Sequence, residues 1–356
     1  MATPPPPDGA KVEAFMEKAL GDLSGTMAAG FCALGDRLGL FRSLAEDGPA
    51  TSAELADRLG LQERYVREWL RGLTASGYLE ELGSGRFMLP AEHVPALADD
   101  SGSLFLGGLY QMLPGLWAPY ERLAEAFREG GGVRQEDYPP SLWDGMSRFT
   151  GSWFETVMID EWLATFPHVV ERLEEGIEVA DVGCGAGRAL IVLARAFPRS
   201  RFTGFDNFPA QVERARAAAE RAGVTGRVSF GTVDAARGLP GRYDLITTFD
   251  VIHDSAEPER ILSAVRGALR DDGDYLMLEI GSGDSPGENT GPVASLKYGF
   301  SVFYCMTTSL ADGGAGLGTC GLPESVVREL CAGAGFGEVV RSTKDDPFNV
   351  LYDIRP

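Results

Sequence analysis

The 356-residue sequence is poor in positive charge and in histidine. Its 32 lysines and arginines stand against 52 aspartates and glutamates, for a formal net charge of −20, and there are only 3 histidines. Phosphate backbones repel so acidic a chain, which disfavours nucleic acid as a partner. Because histidines are so few, each can be weighed singly as a base or a ligand.

Two further features are absent. No charge-free apolar run reaches the ~18 residues of a membrane span, and the N-terminal MATPPPPDGA lacks the basic and apolar regions of a signal peptide. The 5 cysteines are odd in number and include no C-x-x-C pair, which indicates reduced thiols without a disulfide framework or a zinc site. We therefore expect a cytoplasmic globular protein with two domains, no membrane partner and a disordered tail at residues 1–10.

Residues 178–189 read EVADVGCGAGRA, the pattern of a strand, a glycine turn and a helix. The strand ends in Asp181, and the turn contains Gly183, Gly185 and Gly187. Nucleotide-binding βαβ units begin in this way. Arg188 stands where a dinucleotide site has its last glycine, and a carboxylate at Asp181 would repel a pyrophosphate but pair with a cationic amine. The stretch looks like motif I of the class I S-adenosylmethionine (SAM) methyltransferases, with a dinucleotide site as the alternative.

Strand and helix patterns alternate from residue 176 to residue 356. The apolar runs predict strands at 179–182, 202–206, 228–232, 244–249, 275–280, 337–342 and 348–354, with helices such as 209–222 and 257–270 between them. Such alternation predicts an α/β fold with a Rossmann-like, doubly wound sheet. The last two strands flank Pro347 and would form a C-terminal antiparallel hairpin at one edge.

Two more aspartates follow the next two strands of this sheet. Asp206 ends the second strand, where a carboxylate can accept both ribose hydroxyls, and Asp234 follows the third, where it can accept the amine of adenine. Each aspartate alone is more often a turn or cap residue. Together with Asp181 at the same edge, they favour an adenosine-bearing cation with a methionine tail.

The N-terminal residues 11–95 predict a mainly α-helical, winged-helix domain. Residues 11–41 show a helical apolar pattern, and 41–90 follow a winged helix-turn-helix pattern with a capping box at Thr51 and Glu54. A DNA-binding role is weak, because residues 41–90 hold six arginines against eight acidic residues and no lysine. Dimerisation through these helices is the better interpretation.

Two helical segments are candidates for lining a substrate pocket. Residues 96–175, a helical connecting and substrate-cap region, are rich in aromatic residues, among them Trp153. In 294–309, Phe300, Phe303 and Met306 recur at three-residue steps, which predicts one apolar helix face. Most of these side chains should pack in the core. Trp153, Tyr304 and Met306 are the weak candidates for the pocket wall.

Residues ~11–356 resemble the winged-helix-containing, class I SAM-dependent small-molecule methyltransferases of bacteria, which are O-methyltransferase-like. The matching segments are ALGDRLGLF, DVGCGAGRAL, RFTGFD, FDVIHDSAEP and DDPFNVLYDIRP. The resemblance implies a homodimer in which the winged helix closes the substrate pocket and does not read DNA. It also implies SAM-binding roles for Asp181 (methionine amine), Asp206 (ribose), Asp234 with Ala235 (adenine) and the Phe249 backbone (methionine), with Asn207 in the same cofactor-binding group.

His253 is the strongest catalytic candidate. It lies in FDVIHD, just past the fourth strand, and Glu279 ends the fifth strand. The resemblance implies that His253 is the general base and that Glu279 orients it. An imidazole with a pKa near ~6.5 can take the proton of a hydroxyl as the methyl group is transferred. The alternative is that His253 only packs or caps a helix and that positioning carries the reaction. Normal turnover in His253→Ala would then be expected.

We expect no metal ion, although a metal-assisted reaction on a keto acid stays an alternative. His253, Asp254 and Glu279 are ligand types, and relatives with iron also use a second histidine after the fifth strand, where 294–309 has none. The predicted function is therefore SAM-dependent O-methylation of a small molecule. The rivals are carbon or nitrogen methylation, a SAM- or metabolite-sensing DNA-binding regulator, and a non-catalytic SAM-binding scaffold. The sequence does not disclose the acceptor.

Overall fold

The computed structural model describes residues 7–344 and 346–356, which form two compact units. The first unit contains the chain up to Gly115 together with Pro140–Ser152, and the second contains Leu116–Pro139 and Trp153–Pro356. Residues 96–175, expected to form a connecting region of their own, are thus divided between the units. Residues 1–6 of the expected tail lie outside the described residues, and the first helix already includes Gly9 and Ala10. Among the described residues, no helix combines the length and the apolar character needed to cross a membrane.

The first unit contains the winged helix-turn-helix. Its elements in chain order are α1 (Gly9–Arg37), α2 (Leu40–Glu46), β1 (Ala50–Thr51), α3 (Ser52–Leu59), α4 (Glu63–Ala75), β2 (Glu80–Glu81), β3 (Arg86–Met88) and α5 (Val94–Leu97). Thr51 and Glu54 form the predicted capping box at the start of α3. The short sheet has the order β1-β3-β2 and forms the wing. Trp69 of α4 stacks edge-on against Phe41 and donates its Nε1–H to the carbonyl of Phe31, which fixes α4 on α1 and α2.

Four helices follow before the large sheet. They are α6 (Gly107–Trp117), α7 (Tyr120–Glu129), α8 (Pro140–Thr156) and α9 (Pro167–Glu175). A short π-helical turn, Met158–Trp162, separates α8 from α9. The remaining helices are α10 (Arg188–Ala196), α11 (Pro209–Ala222), α12 (Pro258–Ala268), α13 (Gly291–Phe300), α14 (Met306–Ala311) and α15 (Glu324–Gly333).

The second unit is organised around a seven-stranded sheet, counted within the described residues. Its strands are β4 (Glu178–Val182), β5 (Arg201–Asp206), β6 (Val228–Thr232), β7 (Tyr243–Phe249), β8 (Leu269–Ile280), β9 (Glu338–Arg341) and β10 (Asn349–Arg355). The order is β6-β5-β4-β7-β8-β10-β9, in which the first five strands are parallel and β10 is antiparallel to both β8 and β9. The predicted doubly wound sheet with a C-terminal antiparallel pair is confirmed.

Apolar side chains cover both faces of this sheet. Successive residues of β8 point to opposite sides, so Tyr275 and Met277 join one buried cluster while Leu276 and Leu278 join the other. The first cluster includes α12 and α15, and the second includes α9, α10 and α11. Burial on both faces explains why the central strands are nearly continuous apolar runs. The acidic residues Asp181, Asp206 and Glu279 lie at or next to the last residue of β4, β5 and β8.

A network of two buried carboxylates and their partly exposed cationic partners joins α9 to the strand ends opposite the glycine turn. Arg172 donates to Asp274 at 2.5 Å, and Arg355 donates to Asp353 at 2.7 Å. His168, for which the sequence showed no companions, lies 3.3 Å from Asp353. The two guanidinium groups compensate carboxylates that burial would otherwise destabilise. This network holds α9, β8 and β10 in register at the end of the sheet far from the glycine turn.

The segment 294–309 is not the single regular helix that was expected. It consists of α13, a five-residue π-helical segment Ser301–Cys305, and α14, with the N–H of Met306 bonded to the carbonyl of Ser301. A π segment bonds five residues back, so the three-residue spacing no longer defines one face. Phe300, Phe303 and Met306 are accordingly half-buried, whereas Tyr304 and Cys305 are buried.

Candidate functional site

The glycine turn after β4 is held by the end of β5. The N–H groups of Gly183 and Cys184 donate to the carbonyl of Phe205 at 2.7 and 3.0 Å, and the N–H of Gly185 donates to Oδ2 of Asp206 at 2.9 Å. Gly183, Gly185 and Gly187 all have positive φ, at 72°, 50° and 75°. Glycine adopts this conformation without strain. The carboxylate of Asp206 thus fixes the turn from which α10 starts.

The three glycines differ in what a side chain would meet. A Cβ atom at Gly183 would lie 2.5 Å from Val251, and one at Gly187 would lie 2.6 Å from the ring of Phe230. A Cβ atom at Gly185 would meet no atom within 4 Å. The first and third glycines therefore allow the turn to pack against the sheet, whereas Gly185 borders open space next to Asp206.

Asp181 is a buried acid at the carboxyl end of β4. Its side chain is 2% exposed and accepts a hydrogen bond from Thr247 Oγ1 at 2.8 Å. Burial raises the pKa of Asp181 to about 7, and the nearby charge of Asp206 adds to the shift against the opposing hydrogen bond. A cationic ligand at this edge would offset the burial of both acids. The carboxylates of Asp181 and Asp206 therefore fit a ligand with an ammonium or a sulfonium group, and SAM has both.

The other residues predicted for the cofactor site differ in their hydrogen-bond partners and in their exposure. Asp206 also accepts from the N–H of Phe208 at 2.9 Å, and burial raises its pKa in spite of its two backbone hydrogen bonds. Asp234 caps the short turn Ala235–Arg237 and pairs with Arg237 at 2.8 Å, so its carboxylate already has partners. Asn207 is exposed, Ala235 is buried and Phe249 is half-buried.

His253 and Glu279 form a buried pair next to the glycine turn. Glu279 Oε2 lies 2.6 Å from His253 Nδ1, Glu279 Oε1 accepts from the N–H of Ile252 at 2.7 Å, and the two side chains are 1% and 4% exposed. With Nδ1–H donated to the carboxylate, Nε2 keeps the lone pair of the neutral ring. The carbonyl of His253 accepts from the N–H of Gly318 at 3.0 Å, which fixes the backbone as well.

The charge of Glu279 decides the electrostatics of His253. Burial disfavours the imidazolium, but the carboxylate of Glu279 and the neighbouring sulfur of Cys305 outweigh it, so the pKa of His253 is raised well above its usual value. Cys305 was not singled out from the sequence, because its contact with His253 depends on the π-helical segment. The imidazole is therefore more basic here than in water.

Two further acids lie near His253. Asp250 was not singled out from the sequence, and Asp254 was considered only as a possible metal ligand. Burial raises the pKa of Asp250 and that of Asp254 to about 7 in each case, against the opposing charge of His253. Asp250, His253 and Glu279 offer ligand-type atoms within 4.8 Å of one another, but Nδ1 of His253 is already bonded to Glu279. The position of Asp250 directly after β7, at the same edge as Asp181, was the available signal.

The three weak pocket candidates take different positions. Tyr304 packs edge-on against Tyr138 at 5.3 Å, and its pKa is raised well above the usual value by burial and by the charges of Asp254 and Asp206. Trp153 lies 5.9 Å from the ring of Phe348, ahead of β10. Met306 is half-buried at the start of α14, close to Gly318. Tyr304 and Met306 thus lie near the His253 segment, whereas Trp153 contacts the β9–β10 connection.

Comparisons with known proteins identify the family of the chain. A family model described as a methyltransferase domain matches residues 173–294, and one described as an Rv2258c-like winged helix-turn-helix domain matches residues 26–98. The 3-hydroxy-5-methyl-1-naphthoate 3-O-methyltransferase of Streptomyces sahachiroi is 32% identical over 273 residues, which cover 72% of this chain and 73% of that protein. The chain belongs to the SAM-dependent methyltransferases. The family resemblance and the cofactor class predicted from the sequence are confirmed.

Solved structures place the whole methyltransferase chain in the same fold. The structure of mitomycin 7-O-methyltransferase superposes with a TM-score of 0.72 at 20% identity and covers 98% of this chain and 100% of its own. Human N-acetylserotonin methyltransferase, solved in complex with SAM, gives a TM-score of 0.72 at 19% identity, with 99% of each chain covered. At these identities the likeness concerns the fold.

The glycines of the turn allow a matched pair of substitutions in this methyltransferase. Gly185→Ala should weaken SAM binding with a stability loss of about 1–2 kcal/mol from left-handed strain. Gly187→Ala should destabilise further, by about 1–3 kcal/mol, because its Cβ atom also meets Phe230. Calorimetric titration with SAM and thermal unfolding measure the two effects. Unchanged SAM affinity in Gly185→Ala would show that the cofactor does not use the open space.

Proposed function

We propose that this methyltransferase transfers the methyl group of SAM to a hydroxyl of a small molecule, with His253 as the general base. The observation that carries the proposal is the buried pair of His253 and Glu279, which lies at the carboxyl edge of the sheet beside the glycine turn. The name of the relative from Streptomyces sahachiroi, a 3-O-methyltransferase, supports transfer to oxygen.

The cofactor would lie along the ends of β4, β5 and β6. Asp181 would face the methionine amine and Asp206 the ribose hydroxyls. Asp206 accepts from the N–H of Gly185 beside the open space there, and Asp181 lies close enough to Asp206 for its charge to raise the pKa of Asp181. Asp234 and Ala235 would contact adenine, in which case the pairing of Asp234 with Arg237 would have to leave one carboxylate lone pair free. Asn207 would contribute at the exposed rim, and the backbone of Phe249 would face the methionine moiety.

The reaction requires an aligned acceptor oxygen and a base. When bound, SAM supplies a methyl group on a positively charged sulfur atom. Nε2 of His253 takes the acceptor's hydroxyl proton while the oxygen lone pair forms the new bond to the methyl carbon. The electrons of the broken carbon–sulfur bond stay on sulfur, so the products are a methyl ether, S-adenosylhomocysteine and a protonated imidazole. Glu279 stabilises that imidazolium and keeps the ring in position.

Tyr304, Met306 and Trp153 would form part of the acceptor's wall. The closeness of Tyr304 to Asp254 and of Met306 to Gly318 supports this for the first two, because both neighbours adjoin His253. Trp153, which packs against Phe348 ahead of β10, would contribute from the side of the β9–β10 connection. An aromatic and thioether surface would exclude water around the reacting oxygen.

The base assignment predicts a large loss of turnover on removal of the imidazole. His253→Asn keeps an N–H that can donate to Glu279 but has no basic nitrogen, so kcat should fall by about 100-fold or more. Transfer of labelled methyl from SAM across a panel of phenols, keto acids and amines gives the acceptor class and the rate. His93→Ala, which alters a histidine bonded to the Tyr78 carbonyl in the other unit, is the control. Wild-type turnover in His253→Asn would remove the base.

The raised pKa of His253 predicts the pH profile. The imidazole must be neutral to accept a proton, so the rate should rise with pH and its acid limb should lie above the usual histidine pKa. Glu279→Gln removes the charge that raises this pKa, which should move the limb to lower pH and reduce the maximal rate. Because Asp250 and Asp254 titrate nearby, His253→Asn is the reference and should lack the limb. A limb that persists in His253→Asn would belong to another group.

Transfer to carbon or nitrogen and a metal-assisted reaction are the remaining chemical alternatives. A base bonded to a buried carboxylate favours a hydroxyl acceptor, since an amine or an activated carbon needs the proton removed at a different stage. Stoichiometric iron in the purified protein, with activity lost on chelation, would instead assign His253 and Glu279 to a metal. Methyl product from any acceptor excludes the non-catalytic scaffold.

We infer that the protein is a homodimer through α1. This helix carries a stripe of exposed apolar side chains, in which Phe15, Leu20 and Met27 are 66%, 69% and 66% exposed, and its other members are Val12, Met16, Leu23, Leu34 and Leu38. At about 100° per residue these positions share one side of the helix. Exposed apolar surface of this extent is typical of a subunit interface.

The α1 interface predicts a monomer when charge is placed in the stripe. Leu20→Glu should convert the dimer to a monomer, because a carboxylate would be buried in the apolar contact. Sedimentation equilibrium measures the mass. Lys18→Glu, on the opposite side of α1, is the matched control and should leave the dimer intact. A wild-type protein that sediments as a monomer would contradict the inference.

We propose that the winged-helix unit does not bind DNA and that the enzyme is cytoplasmic. In α4, the helix that would enter a groove, Arg64 pairs with Glu68 and Arg67 pairs with Glu63 at 2.6 and 2.5 Å. These pairings remove the cationic face that phosphate contacts need. All five cysteines are free, which supports a reducing compartment.

A further inference from the structure

Asp250 has two unusual properties for a residue at the edge of an active site. Its φ is +56°, and among the described residues only Ser84 shares a positive φ without being glycine. Its Oδ1 is buried and has no hydrogen-bond partner in the protein. Native proteins rarely keep a strained backbone or an unpaired buried carboxylate oxygen without a function that requires it.

The surroundings of Asp250 place it on the acceptor's side of His253. Its N–H continues the β7–β8 ladder by donating to the carbonyl of Leu278 at 2.9 Å. Its carboxylate lies with His253 and Glu279 in one group of atoms within 4.8 Å. The charges that act on it include those of Glu279 and Asp346, which belong to β8 and to the connection before β10. The glycine turn and Asp206 lie over β4 and β5, on the other side of β7.

A second unpaired polar atom lies in the segment that contacts His253. Thr319 is buried, and its Oγ1 has no hydrogen-bond partner. It follows Gly318, whose N–H donates to the His253 carbonyl. Two separate elements that adjoin the base, the end of β7 and the 318–319 segment, thus each carry an unpaired oxygen atom.

We propose that Asp250 selects acceptors that carry a second proton donor, a hydroxyl or an amine, next to the hydroxyl that is methylated. This inference rests on the proposed function of His253. In its ionised form the carboxylate of Asp250 accepts hydrogen bonds and donates none, so a proton donor on the acceptor would pair Oδ1 and would favour that form. An acceptor with a carboxylate in that place would face Asp250, Asp254 and Glu279 and would be repelled.

Binding of matched naphthalenes tests the selection. Calorimetry on the protein saturated with S-adenosylhomocysteine would compare 2,3-dihydroxynaphthalene, 2-naphthol and 3-hydroxy-2-naphthoate. The wild type should bind the dihydroxy compound about tenfold or more tightly than 2-naphthol, and the carboxylate most weakly, as expected for a hydrogen bond to a charged group. Asp250→Asn can present an N–H₂ group instead, so this preference should collapse and shift towards the carboxylate. The proposal would be overturned if wild type and Asp250→Asn bound the three compounds in the same order and with the same ratios of affinity. It would also be overturned if the wild type bound none of them.

The thermal stability of Asp250→Gly gives a readout that needs no acceptor. Removing the unpaired buried oxygen of Asp250 and the left-handed strain should raise Tm. Ser84→Gly relieves the same backbone strain in the other unit, so it controls for the strain alone. A lower Tm in Asp250→Gly would show that the carboxylate is a structural partner and would overturn the proposal.

The outcomes separate this inference from the proposed reaction. If His253→Asn abolishes turnover while the acceptor order is the same in wild type and Asp250→Asn, only the role of Asp250 fails. If the acceptor order depends on Asp250 but His253→Asn retains full turnover, the base assignment fails and the selection by Asp250 stands.

Discussion

One buried carboxylate, that of Glu279, holds the catalytic half of the site together. Glu279 is the next-to-last residue of β8 and uses both carboxylate oxygens, one for the N–H of Ile252 and one for Nδ1 of His253. The segment after β7 is thereby tied to β8 beyond the last ladder hydrogen bond, from Asp250 to Leu278. Because a buried carboxylate is stable only when its oxygens are paired, the fold of this segment, the ring orientation and the basicity of His253 all depend on one side chain.

The cofactor half is built by a different device on neighbouring strands. In that half, the backbone N–H groups of the glycine turn donate hydrogen bonds to the end of β5. The acceptors are the carbonyl of Phe205 and the carboxylate of Asp206. β4 lies between β5 and β7, so successive crossovers leave it in opposite directions. Ligands bind open α/β sheets at such a switch point, because the loops diverge there and leave a crevice. The two halves therefore meet at β4 and β7, where Thr247 of β7 donates to Asp181 of β4.

Sequence periodicity was sufficient for the sheet, because two-sided burial makes each central strand an apolar run that ends at a polar residue. For the same reason Asp181, Asp206 and Glu279 could be predicted as strand-end groups. Sequence periodicity failed to predict Ser301–Cys305, since a π segment changes the spacing at which side chains share one helix face. It also missed Asp250, whose left-handed backbone is a tertiary property, and it could not show that the carboxylate of Asp234 already pairs with Arg237.

The concentration of acids at this edge makes the site respond to the charge of its ligands. Burial raises the pKa of Asp181 to about 7 and also raises the pKa of Asp206, so without a cation beside them these two carboxyls are harder to ionise than in water. A ligand with a sulfonium and an ammonium group favours their ionised forms, and that mutual stabilisation strengthens its binding. Methyl transfer removes the sulfonium charge while leaving the acids in place. In the proposed reaction, the same carboxylates that attract the methyl donor therefore hold the demethylated product less tightly, which favours its exchange for a new donor.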